Sequence, residues 1–564
     1  MNPNGCRILR NAKVPMRDGI KLSTTIHLPP GHGKVPVALV RTAYSRTGAR
    51  GKPFTDRGMA LVVQDCRGRY DSEGEWYPFI HEAEDGFDTL EWIGQQPWCN
   101  GKVGMFGDSY LAATQFYTAP LQSPYLCALN PRFMAGDCWK RAYYCDGAFS
   151  LGLTWSWLCF ETNARTSEAA LMPGLDVGAV LRTLPIVSLD EASGGPAVTP
   201  YRDYVMHSSY DAHWRRLNVR DQLRDFRVPV FLIGGWYDYY AGETFANFVG
   251  LRQQALTPEL RESHRVLMGP WTHGINAGSV LGELDFGADA LAEGDATLRW
   301  LECLLHGKSP ADFQRAPIRL FVMGANVWRD EYEWPLARTR HVHYYLHAGG
   351  RLSMAPPGNE PPDHYTYDPA NPAPTLGGNH SIGPYNPGLY ELAKPGPYDQ
   401  RPVEGREDVL VFTSEPLPED TEVTGPVIVK LYAASSALDT DFVARLTDVY
   451  PDGRSINITE GIIRARFREN VWGKPKLLEP YKACEYVIDL QATSNLFKKG
   501  HGIRLHVTSS NFPLWDRNLN TGNDPGTDVD MKIARQTVYH NSHFPSCIVL
   551  PMGARKASAP LVGT

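Results

Sequence analysis

The strongest constraint on this chain is a set of short, almost wholly apolar runs, most of which end in one polar residue or a tyrosine. Val35-Pro-Val-Ala-Leu-Val-Arg-Thr-Ala-Tyr44, Ala60-Leu-Val-Val-Gln-Asp65, Val103-Gly-Met-Phe106, Val228-Pro-Val-Phe-Leu-Ile-Gly-Gly-Trp-Tyr-Asp238 and Arg265-Val-Leu-Met-Gly-Pro-Trp-Thr-His273 have this form. Strands apolar on both faces belong in a sheet covered on both sides, the situation of parallel sheets. Helical patterns lie between and after them: residues 82–96 with Ala83, Phe87 and Leu90 on one face, and later Leu298, Leu301 and Leu305. Strand and helix in alternation predict an α/β sheet, in which chemistry gathers at the carboxyl ends of the strands. Tyr44, the turn at 65–70 and Ser109 are expected there.

The stretch Gly101-Lys-Val-Gly-Met-Phe-Gly-Asp-Ser-Tyr-Leu-Ala-Ala-Thr-Gln-Phe-Tyr117 reads as strand, sharp turn and helix, with Ser109 at the turn. In a nucleophile elbow the serine hydroxyl projects from such a turn, and the next backbone N–H, here that of Tyr110, can receive an oxyanion. The usual pattern places glycine two positions after the serine, where strand and helix backbones pass closely. Leu111 stands there, and the small residues Ala112 and Ala113 are expected to relieve the crowding. Acyl transfer by serine also needs a base and an acid that orients it. α/β-Hydrolases supply these in the order serine, acid, histidine. Ser109, Asp238 and His273 follow that order, each directly after an apolar strand.

At 564 residues the chain exceeds a single core and should fold as several domains. Residues 1–136 read as the first part of an α/β-hydrolase domain, opening on a hairpin turned at Asp18-Gly19. Residues 137–225 change to Trp- and Leu-rich helical stretches and read as an inserted helical cap. Residues 226–337 resume the sheet. Residues 338–564 carry short β runs between Pro, Gly, Asn and Asp turns, the pattern of a C-terminal jelly-roll β-sandwich, with 354–400 as a long connection.

Hydrophobic content of 43% and charged content of 21% describe a folded globular protein. With 56 basic against 62 acidic residues the net charge is -6, which disfavours nucleic acid as a partner. The ten cysteines stand singly, without CxxC pairs, so neither a zinc site nor a disulfide framework is expected, and a reducing cytoplasm suits them. The first ten residues lack the apolar stretch of a secretory signal, and no run is long enough for a membrane span. Arg67-Gly-Arg-Tyr-Asp-Ser-Glu-Gly reads as a structural loop near the site, and Asp448-Val-Tyr-Pro-Asp-Gly as a hairpin turn rather than a calcium site. No metal or other cofactor is called for.

The chain also resembles the serine hydrolase family that includes cocaine esterase, glutaryl acylases, α-amino-acid ester hydrolases and X-prolyl dipeptidyl peptidases. The marks are Val14-Pro-Met-Arg-Asp-Gly-Ile-Lys-Leu, Asp65-Cys-Arg-Gly-Arg-Tyr-Asp-Ser-Glu-Gly, Asp85-Gly-Phe-Asp-Thr-Leu-Glu-Trp-Ile, Gln96-Pro-Trp-Cys-Asn-Gly, Gly234-Gly-Trp-Tyr-Asp, Gly269-Pro-Trp-Thr-His and Ser509-Ser-Asn-Phe-Pro. The resemblance implies Ser109 as nucleophile, His273 as general base, Asp238 as its orienting carboxylate, and Tyr44 as a phenolic oxyanion donor beside the Tyr110 N–H. Relatives that bind a free α-amino group carry a carboxylate cluster just beyond the triad aspartate. Tyr239, Tyr240 and Ala241 stand there instead, so the resemblance favours the cocaine-esterase-like branch, with Trp155 and Tyr239 lining an aromatic acyl pocket. That branch has glycine three places after the serine, where this chain has Ala112.

The expected activity is hydrolysis of a small-molecule ester or amide through an acyl-enzyme. Two alternatives stand beside it: an acyltransferase, acylase or dipeptidyl peptidase with the same triad, and a non-catalytic binding protein that uses its jelly roll. A homo-oligomer is compatible with either.

Overall fold

A computed structural model describes residues 6–31, 33–166, 175–276, 278–380 and 387–553. Residues 1–5, where the N-terminal reading begins, and 554–564, the end of the last expected domain, lie outside it.

The first sheet has ten strands. β1 (Arg7–Pro15), β2 (Lys21–Leu28), β3 (Val35–Thr42), β4 (Ala60–Asp65), β5 (Cys99–Asp108) and β6 (Leu126–Arg132) run in the spatial order β1-β2-β4-β3-β5-β6. Phe231–Gly235, Arg265–Gly269, Ile318–Val322 and Val327–Glu331 then continue it. Pairing is parallel from β4 through to Ile318–Val322 and antiparallel at the two margins. β3 and β4 are buried almost throughout, as their unbroken apolar sequences require. β1 and β2 form the expected hairpin, with Gly19 at φ 87° in its turn.

The helix foreseen at 82–96 spans Glu82–Gly94, but its inner face is not the apolar one expected. Ala83 and Phe87 are only partly buried, whereas Glu82, Asp85, Gly86, Thr89, Leu90 and Ile93 face inward. The cause is a buried ion pair. Arg41, wholly enclosed in β3, bonds Glu82 Oε2 at 2.6 Å and lies 3.8 Å from Asp85. A charge without water must be paired, and that demand turns the helix. Gly86 permits the resulting approach, since a Cβ there would lie 1.8 Å from Thr118 Oγ1.

Between β6 and Phe231–Gly235 the chain forms short helices, including Cys138–Arg141, Leu151–Ser156, Thr199–Met206 and Ala212–Arg215, and a ribbon of Tyr144–Cys145 with Ala148–Phe149. Trp139, Trp155 and Trp214 are fully buried among them. From Thr339–His347 onward the chain is mainly β. The long strand Thr421–Ser435 pairs with Cys484–Phe497, Ala534–Tyr539 and Cys547–Gly553. Ser455–Arg464 lies against Cys484–Phe497, with Thr459 Oγ1 bonded to Leu490 O, and it closes the layer over a core that includes Phe442 and Tyr486. The 354–400 segment, read as a connection, contributes a strand of its own. Asp363–Tyr367 pairs with Ala534–Tyr539 and turns Tyr365 and Tyr367 inward onto Ser509 Oγ and Asn518 O.

The β region packs against both sides of one loop of the first sheet. Tyr237 OH donates to Asn457 O, Tyr239 OH accepts from Trp515 Nε1, and Trp236 O accepts from Asn379. One apolar core runs through the sheet, the helical segment and the β region. Among the described residues no helix is long and apolar enough to cross a membrane.

Candidate active site

Ser109 stands between β5 and the helix Tyr110–Thr118, with φ 54° and ψ -118°. A non-glycine residue with positive φ costs about 1–3 kcal/mol and persists only where the surroundings impose it. They do so here. Ser109 N–H donates to Arg132 O at 2.9 Å, and Ser109 O accepts from the N–H groups of Ala112 and Ala113. Asp108, one residue earlier, is ion-paired with Arg132. The turn is thus fastened to the end of β6 by backbone and side chain together.

The crowding at Leu111 is relieved on the strand side by Gly107, while Ala112 and Ala113 are fully buried. A Cβ on Gly107, at φ 145°, would lie 2.4 Å from Leu111 Cβ. The glycine that the elbow needs sits two places before the serine. As the first residue of its helix, Tyr110 has an N–H with no intrahelical acceptor, and it points from the positive end of the helix dipole beside Ser109.

Asp238 and His273 come from the loops after Phe231–Gly235 and Arg265–Gly269, which are neighbouring parallel strands. His273 Nδ1 lies 2.8 Å from Asp238 Oδ1. The two loops are laced together: Trp236 N–H donates to Gly269 O and Tyr237 N–H to Trp271 O, both at 2.9 Å. Gly235 allows it, because a Cβ there would be 2.3 Å from Trp271 O. Asp238 is fully enclosed, so burial pushes its carboxyl up, while His273 and the backbone N–H groups of Tyr240 and Tyr239 pull it down. Burial by itself would lower the His273 imidazole. Asp238, helped by Asp108 and Glu161, outweighs burial and holds it above its ordinary value.

Tyr44 follows β3, and its hydroxyl accepts a 2.8 Å hydrogen bond from Trp157 Nε1. A phenol that accepts from an indole still has a proton of its own to donate. Its ring meets that of Tyr110 edge-on, with centroids 6.4 Å apart.

Residues 18–275 match the X-Pro dipeptidyl-peptidase S15 family, and residues 312–549 match the X-Pro dipeptidyl-peptidase C-terminal non-catalytic domain. Cocaine esterase of Rhodococcus sp. (strain MB1 Bresler) is 36% identical over 97% of this chain and 98% of its own length. The chain belongs to the S15 and cocaine esterase family. Among solved structures, an α-amino acid ester hydrolase superposes with a TM-score of 0.87 at 28% identity, covering 97% of both chains. An aminopeptidase from a marine sediment Thaumarchaeota archaeon gives 0.86 at 26% identity, covering 98% of this chain and 97% of its own. As a member of this family the protein is an enzyme, a serine ester hydrolase.

Against that family background, the two residues expected to line the pocket sit elsewhere. Trp155 is fully buried, its indole N–H donates to Ser193 Oγ at 3.0 Å and its ring packs on Phe160, so it belongs to the core of the helical segment. The residue of this helical turn that touches Tyr44 is Trp157. Tyr239 turns to Ser150 and Trp515, and it is Tyr240 whose ring faces His273, at 5.6 Å between centroids. The two rings meet edge-on with centroids 5.6 Å apart, and sequence position alone does not say which of them reaches the histidine.

Three further residues receive no individual role from sequence, although Arg69 lies in the 67–74 loop expected near the site. Glu161, at the end of the turn Trp157–Glu161, has a carboxyl that burial pushes up to about 7 while His273 pulls it down. Arg69 donates to the carbonyls of Ala43, Thr162, Ala164 and Glu161, so the 67–74 loop, read as structural, latches that turn over the site. Glu82 receives the Tyr110 hydroxyl at 2.6 Å, which fixes the residue after Ser109. All three depend on contacts between residues far apart in the chain.

Proposed function

We propose that the enzyme cleaves a carboxylic ester, or an amide, of a small molecule through an acyl-enzyme on Ser109. The observation that carries this reading is the 2.8 Å contact of His273 Nδ1 with buried Asp238, on loops adjoining the strained Ser109 turn. Ser109 Oγ attacks the carbonyl carbon, and His273 Nε2 takes its proton. Asp238 holds the imidazole with Nδ1–H toward the carboxylate and stabilises the imidazolium. The developing oxyanion is received by the Tyr110 N–H and the Tyr44 hydroxyl, the latter oriented by Trp157. His273 then returns the proton to the leaving oxygen or nitrogen, and water releases the acid by the same steps in reverse.

In this reading residues 137–225 are a cap over a hydrolase domain built from 1–136 and 226–337, and residues 338–564 are a jelly roll that buttresses the acid loop. Contacts of Tyr237 and Tyr239 with the β region, on either side of Asp238, support it. The absence of carboxylates at Tyr239, Tyr240 and Ala241 favours esters over substrates read by a free α-amino group at that position.

The test is hydrolysis of p-nitrophenyl acetate and butyrate followed at early times. A burst of nitrophenolate is expected from the wild type and none from Ser109→Ala. Equal release from both proteins would reject Ser109 as the nucleophile.

A further inference from the structure

Trp76, Phe79 and Glu82 converge on one atom, the hydroxyl of the residue that follows Ser109. The Tyr110 hydroxyl donates to Glu82 Oε1 at 2.6 Å, and it accepts from Trp76 Nε1 at 3.2 Å and from the Phe79 N–H at 3.3 Å. A phenol has one proton to give and an oxygen that can accept, and here both capacities are used. The Tyr110 ring also stacks on Phe79, with centroids 5.0 Å apart. Phe79 itself sits at φ 70°, a backbone conformation that a large side chain rarely adopts. Strain of this kind persists where the surroundings impose it, and it collects at functional sites.

Glu82 is connected to the strand of Tyr44 as well. Its Oε2 accepts from Arg41 Nη1 at 2.6 Å, and its backbone oxygen accepts from the same nitrogen at 3.1 Å. Arg41 lies on β3, which leads directly to Tyr44, and its Nε donates to Gln64 Oε1 on β4 at 2.9 Å. Glu82 O also accepts from Thr118 Oγ1 at 3.2 Å. The helix Tyr110–Thr118 is therefore tied to Glu82 at both its first and its last residue. A buried ion pair is a poor device for stability, since apolar residues of similar volume often do as well or better. What it does supply is fixed geometry, because charges without water must keep their partners.

We propose that Glu82 is a positioning residue for catalysis: through the Tyr110 hydroxyl on one side and Arg41 on the other, it sets the Tyr110 N–H and the Tyr44 hydroxyl at the spacing that one oxyanion requires. This rests on Ser109 being the nucleophile and on those two groups receiving the oxyanion. Glu82 acts through its neighbours and not on the substrate.

Two single variants and their combination test it. Tyr110→Phe removes the hydroxyl and leaves the Arg41–Glu82 pair in place, and Glu82→Gln removes the charge that both partners need. Each should lower kcat and kcat/KM for p-nitrophenyl butyrate alike, by about 10–10²-fold, with KM little changed. The double variant should be no slower than Glu82→Gln alone, because the phenol acts through that carboxylate. Losses that multiply would overturn the proposal.

A second readout separates positioning from a weakened fold. A trifluoromethyl ketone adds Ser109 and holds an oxyanion in the site, whereas the corresponding secondary alcohol forms none. Tyr110→Phe should weaken the ketone by about the same factor as kcat and leave the alcohol unchanged. Partial unfolding would lower kcat and leave both affinities as they are. Ketone affinity equal in wild type and Tyr110→Phe would overturn the proposal whatever the change in kcat, and this arm holds even if Glu82→Gln does not fold. A failure of the acyl-enzyme reading would instead appear as ester turnover that survives Ser109→Ala.

Discussion

At the scale of single residues, the Tyr44 hydroxyl has a definite consequence for rate. On the proposed mechanism it donates to the oxyanion, and the Trp157 indole bonded to its acceptor side orients it. Tyr44→Phe should lower kcat by about 10²–10³ with little change in KM, since the lost interaction belongs to the transition state. Trp157→Phe should lose less, because the phenol remains and only its orientation loosens. Steady-state kinetics on the two variants checks the order, and a Trp157→Phe loss larger than that of Tyr44→Phe would contradict it.

His273 gives a pH prediction whose sign follows from the site. The base must be neutral to accept the serine proton, and Asp238, Asp108 and Glu161 hold its pKa above the ordinary value of about 6.5. kcat/KM for a neutral ester should therefore fall on the acid side with a midpoint above that value. Removing one of these negative charges, as in Glu161→Gln or Asp108→Asn, should move the midpoint to lower pH. A midpoint that moves upward in either variant would show that the charges act in some other way.

At the scale of elements, the serine turn depends on one close approach. Gly107 combines φ 145° with a site where a Cβ meets Leu111 Cβ at 2.4 Å. Gly107→Ala should cost about 1–3 kcal/mol from the backbone conformation, with the clash in addition. It should also lower activity by displacing Ser109 and the Tyr110 N–H. Thermal melting and ester hydrolysis measured together check this, and a variant with unchanged melting and unchanged rate would refute it. The same element shows where sequence periodicity misleads. The pattern of Ala83, Phe87 and Leu90 chose an apolar face for the helix Glu82–Gly94, yet buried Arg41 turned Glu82 and Asp85 inward. Hydrophobic periodicity cannot register a pairing that begins on a strand some forty residues away.

At the scale of the whole molecule, Asp489 ties the β region to the helical segment, reaching Arg141 at 2.7 Å and Lys140 at 3.6 Å. Burial by itself would raise its carboxyl, but Arg141 and Lys140 outweigh that and bring it down to about 2. A carboxyl lowered in the folded state stabilises above its unfolded pKa of about 3.9, and that contribution disappears as pH falls toward the folded value. Asp489→Asn should thus be less stable than wild type near neutral pH, with the gap narrowing between about pH 4 and pH 2. Denaturant unfolding at several pH values measures this, and a gap that stayed constant would show that Asp489 acts by shape alone.

The sequence by itself determined the parallel sheet, through strands apolar on both faces. It also determined the positions of Ser109, Asp238 and His273 at strand ends, because local composition sets strand limits and polar residues stand out against apolar runs. The family was legible too, from motifs spread along nearly the whole chain. Only the tertiary structure decided which neighbours those residues meet: Gly107 against Leu111 at the crowded turn, Trp157 in place of Trp155 against Tyr44, and Tyr240 in place of Tyr239 against His273. It also decided that Glu161 comes close enough to the histidine for their charges to interact. The physical reason is that a strand's character follows from its own residues, whereas the direction of a loop side chain follows from packing between segments hundreds of residues apart.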